Sequence, residues 1–445
     1  MVFDKLAELL LDSDWTHEAI VRLLTACYRP PLSLRKTRPP KHELLATSIL
    51  TAFPSPPSQA RLIEHLRLSP GARRGFRYGK VQQVKLDAQM AGGQMRHTPT
   101  LQSGWDYPRI SNLRELAECL GILDQTLNWL ARGPRGNHAC AAHYRIQAVE
   151  KRAGGCRLIE APKATLKRTQ REILRHVLNR LPVHVAAHGF VPQRSTLSHA
   201  RLHVGQKWML RMDLEDFFPS IDGSRVFGLF RSLGYPYEVV QALTNLTTHV
   251  LSIDAIRESV RHLARNARNE RTITDLARLY FRRHLPQGAP TSPMLANLIA
   301  YRFDCRLTGL AKTCHVTYSR YGDDLLFSGS STCHSSLSKI EDHVGAIAIE
   351  EGFRVRHRKT AFIPNSQRQA AVGIVLNEKP NVARHEYDQL KAILHNCVRY
   401  GPESQNRVGH DNFAAHLLGR IQWLRSLHPQ RGEKLFECFK RIHFG

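Results

Sequence analysis

The sequence has no apolar run approaching the roughly 20 residues that a membrane-spanning helix requires, so a spanning protein is not expected. Its first residues, MVFDKLAELLLDSDW, lack a basic n-region and a small-residue cleavage site, which argues against a signal peptide. Nine cysteines occur without a single CxxC pair, and the count is odd. That usage fits a reducing cytoplasm better than a disulfide framework. The cluster His138, Cys140, His143 has no zinc-ligand spacing and reads as ordinary loop residues. Internal repeats and coiled-coil heptads are also missing. Acidic residues are scarce: 38 against 64 Lys and Arg, a formal charge of +26. A surplus of that size repels itself in a compact chain and calls for an anionic partner. Without a membrane signature, a nucleic-acid backbone is the better candidate.

A chain of 445 residues has room for two to four structural units. Residues 1–107 read as an extension. Two short helical patterns, about 3–12 and 16–28, precede the proline-rich RPPLSLRKTRPPKHE and a second break at FPSPPSQ. Phe3, Leu6, Leu9 and Leu10 fit one face of the first helix. The basic GARRGFRYGKVQQVK and the glycine-containing AGGQM follow.

From about 108 the pattern becomes regular. SNLRELAECLGI carries an N-cap and helical periodicity. HYRIQAVEKRAGGCRLIEAPK predicts two strands around a turn at Ala153-Gly154-Gly155. ATLKRTQREILRHVLNRL is a basic amphipathic helix, WMLRMDL a short apolar strand, and 223–283 largely helical. VTYSRYGDDLLFSG predicts two strands around a tight turn at Gly322-Asp323, and helical patterns fill the chain from 384 onward. The class is α+β.

The chemistry concentrates in two segments. RMDLEDFFPS ends an apolar strand on Asp213, and YGDD sets Asp323 and Asp324 at a hairpin turn. If the strands are sheet neighbours, three carboxylates converge and repel one another. Hard divalent cations relieve that repulsion, and two of them suit an in-line displacement at phosphorus. Each segment alone has a bland reading, since Gly-Asp-Asp is common turn chemistry and Asp after a strand is a common helix cap.

The order LRMDLEDFFPSI, LPQGAPTSPMLANL, YSRYGDDLLFSG and RHRKTAF resembles the palm of bacterial reverse transcriptases, the retron type above all. GGCRLIEAPK and AHGFVPQRS resemble that family's fingers motifs, and AAVGIVLNEKPNV its primer-grip hairpin. The resemblance covers about 108–443 and implies a right-hand polymerase behind the mainly helical N-terminal extension (1–107): fingers (108–206), a palm with an antiparallel sheet (207–383, with a helical insertion about 223–283) and a helical thumb (384–445). It implies that Asp213, Asp323 and Asp324, joined by Leu214, hold two Mg²⁺ ions, with Mn²⁺ as the alternative. It makes Lys359 a general acid for pyrophosphate departure. Lys151, Arg157, Phe217, Phe218, Gln287 and Gly288 become the nucleotide-binding set, with Phe218 as a steric gate against a ribose 2′-hydroxyl. The implied partners are a structured noncoding RNA as template and primer, dNTPs, a DNA product and an effector protein, in antiphage defence. Basic residues of the thumb, including Lys391, Arg420, Arg425 and Lys440, are expected to grip RNA backbone.

Two departures from the family pattern matter. YGDD has glycine where the family more often has alanine, and Gly-Asp-Asp also occurs in RNA-dependent RNA polymerases, for which Asp216 would be the ribose-recognising acid. The bulky Phe218 and the LPQG segment favour reverse transcription. The retron signatures Asn-Ala-x-x-His and Val-Thr-Gly are met imperfectly by Asn245-Leu246-Thr247-Thr248-His249 and Ala371-Val372-Gly373. A non-retron antiviral enzyme, an intron-type enzyme and a catalytically silent RNA-binding scaffold are the alternatives. No HNH-like or zinc cluster follows the thumb-like helices, which disfavours the intron type, and a scaffold leaves the carboxylates, Gln287, Phe218 and Lys359 without a common reason.

Overall fold

A computed structural model describes residues 2–11, 16–27, 41–53, 57–69, 105–132, 143–151, 155–261, 263, 270–330 and 337–444. The chain divides into two compact units. The first comprises residues 1–103, 109–124 and 230–243. Its core is built by helices Val2–Leu11, His17–Cys27, Lys41–Ala52 and Gln59–Leu68. Leu6, Leu9 and Leu10 recur on the buried face of the first helix, as their spacing predicts, and pack with Ile20, Leu24, Ile49 and Leu62. The latter two helices follow the two proline-rich stretches. The prolines precede them, where a missing N–H costs a helix nothing. Asn112 caps Leu113–Cys119 by accepting from the Glu115 amide at 2.9 Å, while the Glu115 carboxylate accepts from the Ser111 amide at 2.6 Å.

The second unit comprises residues 104–108, 125–229 and 244–445. Strands β1 (Tyr144–Glu150) and β2 (Cys156–Pro162) form an antiparallel hairpin. Its apolar face packs on helices Ile253–Ser259 and Glu270–Tyr280 through Leu158, Ile256, Ile273 and Tyr280. A four-stranded antiparallel sheet follows, from β3 (Trp208–Asp213), β4 (Thr317–Tyr321), β5 (Asp324–Gly329) and β6 (Ala361–Pro364), in the order β4-β5-β3-β6. β3 is central, and every residue of it except Arg211 is buried, which accounts for its unbroken apolar reading. β7 (Ala370–Ala371) and β8 (Ile374–Val375) form a short hairpin whose turn holds Val372 and Gly373 at φ 46° and 83°. Helices Arg384–Tyr400, Phe413–Leu427 and Pro429–Lys440 share a core of Leu390, Leu394, Leu417, Ile421, Leu424 and Leu435.

The basic stretch 71–85, AGGQM, His138, Cys140 and the turn residues Ala153 and Gly154 lie outside the described residues. His143 is buried edge-on to the Trp129 ring at 4.4 Å. Among the described residues no helix is long and apolar enough to cross a membrane.

Candidate active site

The sheet register brings the acidic residues together. Asp213 ends β3, and its partner across the ladder is Asp324, the first residue of β5. Gly322, at φ 64°, turns the chain between β4 and β5. The Leu214 amide donates to the Asp323 carbonyl at 2.9 Å and so ties the turn to the end of β3. The Asp213 carbonyl in turn accepts from the Arg356 amide at 2.7 Å.

Asp213 is 4% exposed. Its Oδ1 accepts from Lys359 Nζ at 2.7 Å, while Oδ2 is buried without a hydrogen-bond partner, 3.4 Å from Arg356 Nη1. Desolvation raises the Asp323 carboxyl above its ordinary value, and the nearby Asp213 charge raises it further. Asp324 is raised by desolvation too, against the pull of Arg211, whose Nε lies 3.6 Å away. Among the described residues no three carboxylate, histidine or cysteine groups form a ready-made metal cage. The donor chemistry nevertheless fits a divalent cation: hard oxygens, mutual repulsion, and one buried carboxylate oxygen with nothing bonded to it. Leu214 is a buried hydrocarbon side chain, so any ligand it offers is its carbonyl.

Asp216, at φ 44°, opens the short helix Phe217–Ser220. Its carboxylate pairs with Lys151 Nζ at 2.8 Å and lies 3.6 Å from Arg356 Nη2. Lys151 therefore reaches this site from the end of β1. Arg157 stands exposed on β2. Phe217 turns into the core, its ring 5.6 Å from that of Phe353 and under the Arg320 guanidinium at 5.6 Å. Phe218 is half-buried, its ring 6.3 Å from Phe190. The Gln287 carbonyl accepts from the Glu160 amide at 2.8 Å. Gly288 sits at φ 128°, where a β-carbon would lie 3.1 Å from the Glu160 carbonyl oxygen. That close approach explains a glycine there.

Beneath this contact Glu160 is fully buried between two histidines, accepting from His249 Nδ1 at 2.5 Å and His284 Nε2 at 2.8 Å. Burial pushes its carboxyl up, but the two histidine hydrogen bonds outweigh that and hold it at about 2. His249, the last residue of the Asn245 segment, thus supports the strand on which the Gln287-Gly288 loop rests.

Sequence reasoning missed Arg320 and Asp304. Both are fully buried and bonded at 2.8 and 2.6 Å. Arg320 Nη1 also donates to the Gly322 carbonyl and to Asn297 Oδ1, each at 3.0 Å, so the guanidinium grips the acidic turn from behind. β4 itself, Thr-Tyr-Ser-Arg-Tyr, is too polar to mark Arg320 as a buried residue. Of the basic residues on the C-terminal helices, Arg425 pairs with Glu433 at 3.1 Å and Lys440 with Glu437 at 2.7 Å. Lys391 is exposed and Arg420 half-buried.

A family model, reverse transcriptase (RNA-dependent DNA polymerase), matches residues 149–376. The chain is 37% identical over 300 residues to the retron Mx65 reverse transcriptase of Myxococcus xanthus, covering 66% of this chain and 63% of that protein. It is 36% identical over 313 residues to the retron Mx162 reverse transcriptase of the same organism, covering 66% and 60%. With the retron Ec86 reverse transcriptase of Escherichia coli it shares 31% over 338 residues, covering 75% and 90%. It therefore spans about three fifths of each Myxococcus protein and nearly the whole of the Escherichia one. A solved telomerase from Candida albicans overlays with a TM-score of 0.34 at 13% identity, over 66% of this chain and 56% of that one, a likeness too slight to carry an argument.

Proposed function

We propose, for a chain that belongs to the reverse transcriptase family and within it to the bacterial retron type, an RNA-directed DNA polymerase working at Asp213, Asp323 and Asp324. The observation that carries this reading is the pairing of Asp213 with Asp324 beside the YGDD turn, inside the matched segment. The reaction joins a 3′-hydroxyl to the α-phosphate of a dNTP and releases pyrophosphate. The family uses divalent metal ions, and this reading has two Mg²⁺ held by the three aspartates and the Leu214 carbonyl. When bound, such ions supply charge neutralisation of the triphosphate and a more acidic 3′-hydroxyl.

The remaining work falls to the protein's own side chains. Lys359, exposed and beside Asp213, delivers a proton to the departing pyrophosphate. Lys151 exchanges Asp216 for triphosphate oxygens, and Arg157 offers them a planar fork of donors. Phe218 closes the space that a ribose 2′-hydroxyl would need, while Gln287 and Gly288, fixed to β2, border the nucleotide. With its core-facing ring, Phe217 contributes to the nucleotide site through its backbone. In the same reading residues 108–206 act as fingers, 207–383 as palm with the 223–283 insertion, and 384–445 as thumb.

The template is a structured noncoding RNA that also primes synthesis, and the product is single-stranded DNA joined to it. The setting is cytoplasmic antiphage defence, with an effector protein as partner. Sequencing the nucleic acid that copurifies with the wild type and with Asp323→Ala plus Asp324→Ala tests this, with RNase and DNase treatments in parallel. A discrete RNA-linked DNA present with the wild type alone is expected. RNA bound equally by both, without DNA, contradicts the retron reading.

A further inference from the structure

The loop before the helix Thr196–Arg201 lies against the acidic turn. The His188 amide donates to the Arg320 carbonyl at 2.8 Å, and Asn297 Nδ2 donates to the Gly189 carbonyl at 2.8 Å. A β-carbon on Gly189 would fall 2.6 Å from the Gly322 amide nitrogen, so the two backbones touch. The next residue, Phe190, is held at φ 61°, a conformation that a bulky side chain rarely adopts and glycine adopts freely. The residue is 52% exposed. Its ring stands 6.1 Å from the Tyr321 ring and 6.3 Å from the Phe218 ring. Its Cε2 lies 3.2 Å from the point where a β-carbon on residue 322 would stand, so Phe190 covers the glycine of the turn.

Folding alone does not account for Phe190. An apolar ring half in water gains little from burial, and a glycine would relieve the backbone. Backbone strain combined with an exposed aromatic ring marks a position held for a ligand. Every nucleobase presents a π-face to such a ring. We propose that Phe190 is a stacking residue of the polymerase site, its ring receiving a nucleobase beside the Gly322 turn. The inference rests on the polymerase reading. The base belongs either to the incoming dNTP or to the terminal pair of the template–primer duplex.

The test uses the full-length protein with Phe190→Gly, Phe190→Leu and Phe190→Trp. It measures Tm, dNTP KM and kcat on a primed RNA template, and Kd for a fluorescent RNA–DNA primer duplex without dNTP. Phe190→Gly keeps or raises Tm, since the strain is removed. Both Phe190→Gly and Phe190→Leu weaken one ligand by about tenfold, the dNTP through KM or the duplex through Kd, and Phe190→Trp restores it. Which constant moves identifies the source of the base. KM and Kd within twofold of wild type in the glycine and leucine variants, or a fall in kcat alone, overturns the assignment. A wild type inactive on every template counts against the polymerase reading instead, while the duplex arm still decides Phe190.

Discussion

Asp213 is held in place by cations as much as by strand pairing. Lys359 and Arg356 both approach its carboxylate, and in the proposed reaction Lys359 must leave it to act as an acid. Replacing Lys359 with alanine is expected to lower kcat by about 10²-fold or more, the usual worth of a positioned general acid, with a smaller effect on dNTP KM. Single-turnover rates give the answer, and an unchanged kcat would assign Lys359 to charge balance only. Behind the turn, Arg320 faces a different constraint. Removing it alone leaves the Asp304 charge buried without a countercharge, with the Tyr318 hydroxyl as a remaining partner, which costs about 3–5 kcal/mol, whereas removing both charges together costs far less. Arg320→Met should therefore melt well below wild type, and Arg320→Met with Asp304→Leu should recover much of the loss. Equal melting of the single and double variants would show that the pair is not coupled. Asp213, Asp323 and Asp324 could be picked out from sequence because each sits at a strand end whose pattern is local. Arg320 with Asp304, and Glu160 with His249 and His284, could not: their partners meet only through tertiary folding.

At the scale of elements, the helix Thr196–Arg201 is fastened to β4 and β5 by neutral polar groups. Ser319 Oγ lies 2.7 Å from both His199 Nδ1 and His203 Nε2, and His203 Nδ1 lies 2.7 Å from Ser328 Oγ. Burial pulls both histidines down to about 3. The unfolded chain, with ordinary histidines near 6.5, therefore binds more protons between those values. This contribution to stability is complete above about pH 6.5 and is lost as pH falls toward about 3. Denaturant unfolding at stepped pH should show His203→Gln with a slope shallower than wild type between pH 6 and 4, by up to about 1.4 kcal/mol per pH unit. Parallel slopes would mean that the rings already share the unfolded protonation. The elements themselves were largely readable: the two hairpins, the apolar β3 strand and the C-terminal helices follow from local period and turn residues. Helices Lys41–Ala52 and Gln59–Leu68 were not, because flanking prolines masked segments whose helicity depends on a shared core.

For the whole molecule, the +26 charge is the property most directly tied to a polyanionic partner. Not all of it is equivalent, since Arg425 already faces Glu433 on the following helix and Lys440 faces Glu437 on its own. Lys391→Ala with Arg420→Ala is expected to reduce the slope of log K against log salt for single-stranded RNA by about 1.4, or about 0.7 for each phosphate no longer neutralised. Arg425→Ala should leave that slope nearly unchanged. Fluorescence anisotropy across a salt series reads both, and a larger change from Arg425 would reverse the assignment.

The proposed function comes down to one reaction at one end of the central sheet strands. Its most direct test is primer extension on an RNA template with dNTPs and Mg²⁺, comparing wild type with Asp213→Asn and with Asp323→Asn plus Asp324→Asn. Processive cDNA is expected from the wild type and none from either variant, with RNA affinity retained in all three. DNA synthesis that survives loss of these carboxylates would contradict it.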